Sequence, residues 1–157
     1  MKFCESWSYD GEPTNLLTVK EAEDLYAKKR KFIAYTDLGE YINLYLEITS
    51  KIISLISLDK MKRQISSCDF HLNEEKQLYF IRNITKWEYI DESDSWGNRT
   101  IYNFVNEKLY EENFSRVTKE KLKSVKDYDN SKNCIETPKF NSYDAIIQFA
   151  EKIISSV

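Results

Sequence analysis

Carboxylates and aromatic rings are concentrated between Trp87 and Trp96, where the chain reads Trp-Glu-Tyr-Ile-Asp-Glu-Ser-Asp-Ser-Trp, four acidic side chains among three large rings. Two acids held in different protonation states can run a glycosidase, one donating a proton and the other serving as base or nucleophile. Glu88, Asp91, Glu92, Glu111 and Glu112 are the residues from which such a pair would be drawn. Acidic surfaces supply pairs of this kind by chance, and small antiparallel domains with only three glycines seldom build the deep cleft a sugar needs. Trp and Tyr bring large contact area at low entropy cost, and clustered Asp and Glu attract a basic partner, so the mixture suits gripping better than catalysis. The expected partner-binding set is Glu88, Tyr89, Asp91, Glu92, Asp94 and Trp96, joined by Glu111 and Glu112, and the expected catalytic set is empty.

Other chemistries are excluded in turn. The glycines Gly11, Gly39 and Gly97 are isolated, whereas phosphate-cradling loops need glycines at fixed spacing, so no nucleotide cofactor is expected. His71 is the only histidine, which rules out a multi-histidine metal centre. Its neighbour Cys68 invites a zinc site, but on a strand residues three apart point to opposite faces, and no metal is expected. A nucleophilic pair of His71 with Cys134 or Cys4 has no local signature to support it. Three unpaired, widely spaced cysteines fit a reducing, cytoplasmic setting, and no apolar run reaches signal-peptide or membrane-helix length. The acceptor patterns beginning at Asn83, Asn98 and Asn113 matter only in a secreted glycoprotein and are read as coincidence.

The elements that must position these residues follow from periodicity. One domain spanning 1–157 is expected from the length, with 41% hydrophobic and 31% charged residues, as in ordinary globular chains. Thr18 and Glu21 make a capping box, and Val19, Ala22, Leu25 and Tyr26 share a face, so 18–30 reads as an amphipathic helix. The Lys28-Lys29-Arg30-Lys31 cluster then complements the negative helix end. From Lys31 the period becomes two, most clearly where Ile42, Leu44, Leu46 and Ile48 alternate with Tyr41, Asn43, Tyr45 and Glu47, a half-buried strand. Ile52 to Leu58 is read as a strand from its β-branched content. Runs 63–72 and 77–90 form a hairpin, the second covered on both faces at its start. Thr100 to Val105 and Leu109 to Phe114 pair across Asn106-Glu107. Thr118 to Val125 carries a Lys-rich helical pattern, and 127–141 is a polar connection around Pro138. Asn141 or Ser142 caps a last helix whose apolar face holds Ile146, Ile147, Phe149, Ala150, Ile153 and Ile154. The fold class expected is α+β: an N-terminal helix, an antiparallel meander of five or six strands, and a C-terminal amphipathic helix packed on the sheet.

Net charge is only −3, so no global field argues for nucleic acid or membrane. Charge is nevertheless segregated: seven acidic residues against three basic between 86 and 112, then six basic against three acidic between 115 and 132. Either the basic segment neutralises the acidic one within the fold, or the hairpin presents a negative surface with aromatic anchors. In the plainest account the alternate aromatics are core and the carboxylates are a solvated face.

In overall character, the mild acidity, the tyrosine-rich meander and the Trp87 to Trp96 and Asn103 to Phe114 stretches resemble small cytoplasmic immunity proteins that neutralise bacterial polymorphic and contact-dependent inhibition toxins. The resemblance implies tight binding to one cognate toxin, a basic nuclease above all, by occlusion of its cleft, with Trp96 and Tyr89 as anchors and the carboxylates as partners for basic side chains. A phage-encoded inhibitor of a host nuclease would look the same in sequence. Two other classes stay open. One is a nucleic-acid-binding module using Lys28 to Lys31 with Lys60, Lys62 and Arg63, or the lysines of 116–126; the other is a small hydrolase using carboxylates or a Cys–His pair. A pI near 5.4 and the lack of a basic stripe interleaved with aromatics along the chain argue against nucleic acid.

Overall fold

Alternating apolar and polar residues run through this chain, and in the computed structural model, which describes residues 1–8, 10–36, 43–94, 96–136 and 143–157, they form one antiparallel sheet. Its strands are β1 (Lys2–Trp7), β2 (Pro13–Leu17), β3 (Phe32–Tyr35), β4 (Leu44–Ile48), β5 (Ile52–Leu58), β6 (Gln64–Asn73), β7 (Leu78–Glu88), β8 (Asn98–Val105), β9 (Lys108–Phe114), β10 (Lys121–Asp127) and β11 (Cys134–Glu136). Helix α1 (Val19–Ala27) separates β2 from β3, and α2 (Tyr143–Ser156) follows β11. The spatial order is β10-β9-β8-β7-β6-β5-β4-β3-β1-β2, with β11 on β7. Because β7 is long, one of its edges is shared: β8 takes Asn83 to Glu88 and β11 takes Leu78 to Phe80.

The α+β class therefore stands, but among the described residues eleven strands replace the expected five or six. The added strands include β1, β2 and β11, which are short or polar, and β10, where a helix was expected over Thr118 to Val125. Lysine is a good helix former, but propensity is a weak prior that tertiary context overrides, and here backbone pairing of Lys121 to Asp127 with β9 prevails. Every residue of β10 is exposed, and a Lys-rich edge discourages further strands from adding to the sheet. The polar connection of 127–141 likewise contains β11. Tyr41, Ile42, Pro138 and the caps Asn141 and Ser142 lie outside the described residues.

Helix α1 opens on the capping box, with the Glu21 amide donating to Thr18 Oγ1 at 3.3 Å and the Thr18 amide to Glu21 Oε2 at 2.8 Å. It ends at Ala27, three residues short of expectation. Lys29 takes a left-handed φ of 57°, and the amides of Lys29 and Arg30 return to the carbonyls of Tyr26 and Leu25. Lys28 to Lys31 thus follow the helix instead of forming its last turn, and Lys31 pairs with Glu47 at 3.1 Å.

Strand alternation sends residues to two cores. On one face Phe32, Leu46, Leu55, Phe70, Ile81 and Phe104 lie beneath the helices, with α2 contributing Tyr143, Ile146, Ala150 and Ile153 and α1 contributing Ala22. On the other, Cys4, Ile33, Tyr35, Tyr45, Ile56 and Leu58 form a smaller cluster over which Trp7 stacks on Tyr45 at 4.4 Å between ring centroids. So β4 is covered on both faces instead of being half-buried: Tyr45, expected outside, is core. In β7 the reverse holds. Tyr79 and Ile81 are buried, whereas Leu78 and Phe80 are only half-buried, with Lys76 Nζ lying 5.5 Å from the Phe80 ring centroid. The Asn106-Glu107 loop joins β8 and β9 as expected, both residues at positive φ (50° and 59°), as a two-residue hairpin turn of this twist requires.

Candidate functional site

The segment from Tyr89 to Gly97 leaves the end of β7 and returns as β8, and one side chain from another hairpin holds it. Asp59 in the β5–β6 turn accepts from the amides of Met61 and Arg63 at 2.8 and 2.9 Å, which closes the turn and orients the Arg63 side chain. The Arg63 guanidinium pairs with Asp59 and donates to the carbonyls of Asp91 (2.8 Å), Glu92 (3.3 Å) and Asp94 (2.7 Å). It also lies over the Tyr89 ring, 4.1 Å from the centroid, while the Tyr89 hydroxyl donates to the Gln64 carbonyl at 2.7 Å. Arg63, weighed from sequence as part of a nucleic-acid-binding module, is instead committed to the loop.

Asp94 is the second fixed point. Only 5% of it is exposed, and its carboxylate accepts from the amides of Ile90, Trp96 and Gly97 at 3.2, 3.1 and 3.2 Å and pairs with Arg116. It is therefore not available as a partner-binding carboxylate, because its lone pairs face inward. Asp91, though exposed, caps the turn through one oxygen that accepts from the Ser93 amide and hydroxyl and the Asp94 amide. Gly97 has φ +60, and a Cβ there would sit 3.0 Å from the Glu88 carbonyl oxygen and 3.2 Å from the Tyr89 ring, so this turn needs a glycine. The loop leaves outside Trp96, 74% exposed, and the apolar Ile90, together with Glu88 and Glu92. Glu92 makes an open surface pair with Lys60 at 3.1 Å.

Glu111 and Glu112 do not join this group as a unit. Neighbours on a strand face opposite ways, so Glu111 sits on the side of Tyr102 and accepts from Asn113 Nδ2 at 2.8 Å, while Glu112 is on the reverse side. There Lys121 and Lys123 of β10 hold Glu112 at 2.6 and 3.2 Å, so part of the acidic charge is neutralised within the fold by the basic segment that follows it. The eight expected residues thus divide: Trp96, Glu88 and Glu92 point to solvent, Asp91 does so with one oxygen, and Tyr89, Asp94, Glu111 and Glu112 are engaged internally.

The alternative chemistries are placed as follows. Cys68 is fully buried, and burial pushes its thiol up; His71 on the same strand is exposed on the opposite side. His71 and Cys134 both register with Phe80, from its two edges, which puts two strand spacings, about 10 Å, between their backbones. Cys4 lies in the smaller core. Among the described residues no three of His, Cys, Asp and Glu converge as metal ligands would. No helix of the described residues is long and apolar enough to cross a membrane.

The acid limb of stability should report on Asp94. The Trp96 amide first, then those of Ile90 and Gly97 and the Arg116 cation, outweigh burial and hold its carboxyl at about 2 against an ordinary 3.8. A depressed acid stabilises the fold above its unfolded value and loses that contribution as pH falls towards the folded one. Stability is therefore expected to drop between about pH 4 and pH 2, and Asp94→Asn should flatten that limb. Melting temperatures of both proteins across this range check it; parallel limbs would mean that Asp94 is not the group responsible.

Arg99, Arg116 and Phe114 carry no signal in the sequence as a group, and Trp87 and Lys119, each weighed there in a different context, are not expected to meet them. Together they line a groove of about 480 Å³ beside Trp96 and Gly97, and only strand register brings them together. No family model matches this chain, and neither a curated protein nor a solved structure shows significant similarity to it.

Proposed function

We propose that this chain acts by binding and not by catalysis, as an immunity-type inhibitor in the bacterial cytoplasm that occludes the basic cleft of a cognate toxin, a nuclease by class. The observation that supports this reading is the state of Trp96: an exposed indole on a loop fixed by Arg63 and Asp94. A large ring held rigid before binding loses little entropy when a partner buries it, and such rings dominate interface energies. Glu88, Asp91 and Glu92 surround the same loop and supply negative potential that a cleft built for phosphates would attract. An interface of roughly 1,600 Å² centred there suffices for tight binding.

The test begins with the neighbouring gene, since an immunity gene lies directly downstream of a large toxin gene. Co-expression with that product should restore growth, and the two should co-elute. In the purified pair, Glu88→Gln with Glu92→Gln, which keeps the bonds of Arg63, Asp91 and Asp94 that fix the loop and gives up only the open pair of Glu92 with Lys60, should slow association about tenfold at low salt and flatten its salt dependence. An unchanged association rate would remove the acidic rim from the site. Failure of any neighbouring product to be neutralised would remove the function.

A further inference from the structure

Along the chain no basic stripe interleaves with aromatics, but across the strands one does. Trp87 of β7 registers with Arg99 of β8, Arg99 with Phe114 of β9, and Phe114 with Lys121 of β10. Residues in register share a face, so ring, guanidinium, ring and ammonium succeed one another across four strands, on the side of the sheet opposite the helix-covered core residues Ile84 and Tyr102. The β9–β10 connection adds Arg116 and Lys119, and the loop before β8 adds Trp96; with Gly97 these line the groove of about 480 Å³. Trp87 and Phe114 are half-buried, so their rings are supported from beneath while part of each remains open.

The charges in and beside this groove are unequal in their commitments. Arg116 is held by Asp94, and Lys121 with Lys123 by Glu112. The side chains of Arg99 and Lys119 make no ion pair or hydrogen bond among the described residues, and both are exposed. Nearby Glu120 is bonded to Thr118. Two uncommitted cations among three aromatic rings favour a ligand that is flat and apolar at one end and anionic at the other.

We propose that this groove is a nucleotide-binding site, in which a base stacks on Trp87 or Phe114 and its phosphate is held by Arg99 and Lys119. Sheet faces that carry aromatics flanked by cations bind unpaired nucleotides in this way, without sequence preference, because every base has a π-face. The row spans three strand spacings, about 14 Å, which accommodates more than one nucleotide unit and favours a single strand over a free nucleotide. The groove shares Trp96 with the proposed toxin-binding loop but none of its exposed carboxylates, and its test leaves Trp96 untouched.

Labelled oligothymidylate and oligouridylate of about twelve nucleotides, titrated into the full chain, should bind at about 10 μM near 50 mM salt. With two phosphates neutralised, the logarithm of affinity should fall with the logarithm of salt at a slope of about −1.4. Arg99→Ala should weaken binding several-fold and reduce that slope by about 0.7, whereas Trp87→Ala should weaken it about tenfold and leave the slope unchanged. Arg99→Ala removes an exposed side chain, so it keeps the test open if Trp87→Ala fails to fold. Thymidine monophosphate binding as tightly as the oligonucleotide would support the same site for a single unit. Polyglutamate or duplex DNA competing as well as the single strand would overturn the proposal, as would absence of binding or binding indifferent to Arg99 and Trp87.

Discussion

Replacing Arg63 with alanine is expected to lower stability by about 3 kcal/mol and to release the loop that carries Trp96. The guanidinium, about one fifth exposed, pairs with Asp59, donates to three carbonyls and lies over the Tyr89 ring. Removing it leaves the Asp59 carboxylate half-satisfied in a sheltered site and takes donors from the carbonyls of Asp91, Glu92 and Asp94. Truncating one partner of such a network costs more than the net worth of the pair, because the remaining groups lose their partners without regaining full hydration. Arg63→Lys should recover only a small part, since an ammonium is a point charge and cannot span the carboxylate and the carbonyls together. Urea unfolding of the two variants measures the first effect. Hydrogen exchange of the peptide containing Trp96 and Gly97 measures the second, and a loss below about 1 kcal/mol with unchanged exchange would show that the loop holds itself.

The same network shows what could be read in the residues beforehand. Thr18 and Glu21, the Asn106-Glu107 turn and the broad apolar face of α2 are local patterns, each complete within a few residues, and each appears in the structure. The hairpin of β6 and β7 was equally legible, because two long alternating runs flank a short polar turn. Edge strands were not. In β10 all seven residues face water, so no apolar period marks it, and its existence depends on β9 alone. β11 has three residues and borrows the part of β7 that β8 does not reach.

The site divides along the same line. That Trp96 and carboxylates share one segment is a fact of sequence, but which of them face solvent depends on residues far away in the chain. Asp94 turns inward because Arg116, twenty-two positions later, returns to meet it, and Arg63 reaches the loop from another hairpin. The charge of Glu112 is compensated by lysines that only a strand, and not a helix, would set opposite it. The row of Trp87, Arg99, Phe114 and Lys121 exists only in register, with no two of its members within ten positions of each other except Phe114 and Lys121.

Trp96→Ala is expected to weaken binding to the cognate partner by a hundredfold or more while changing stability by less than about 0.5 kcal/mol. The asymmetry follows from where the indole sits. In the free protein it is 74% exposed, its neighbours in the loop are held by Asp94 and Arg63 through backbone groups, and the backbone amide of residue 96 survives the substitution. Little is therefore lost on folding. In a complex, an indole of this kind buries upwards of 150 Å², worth about 4 kcal/mol at the usual apolar coefficient before the costs of ordering, and those costs are small for a ring already held on a fixed loop. Trp96→Phe should keep most of the affinity. Tyr89→Phe offers the contrast: its hydroxyl is bonded to Gln64 inside the protein, so its removal should lower stability and leave affinity nearly unchanged. Calorimetric titration of the partner into each variant, beside urea unfolding of the same samples, separates the two roles. Unaltered affinity in Trp96→Ala would move the anchor elsewhere, and a stability loss above about 2 kcal/mol would make Trp96 part of the fold instead.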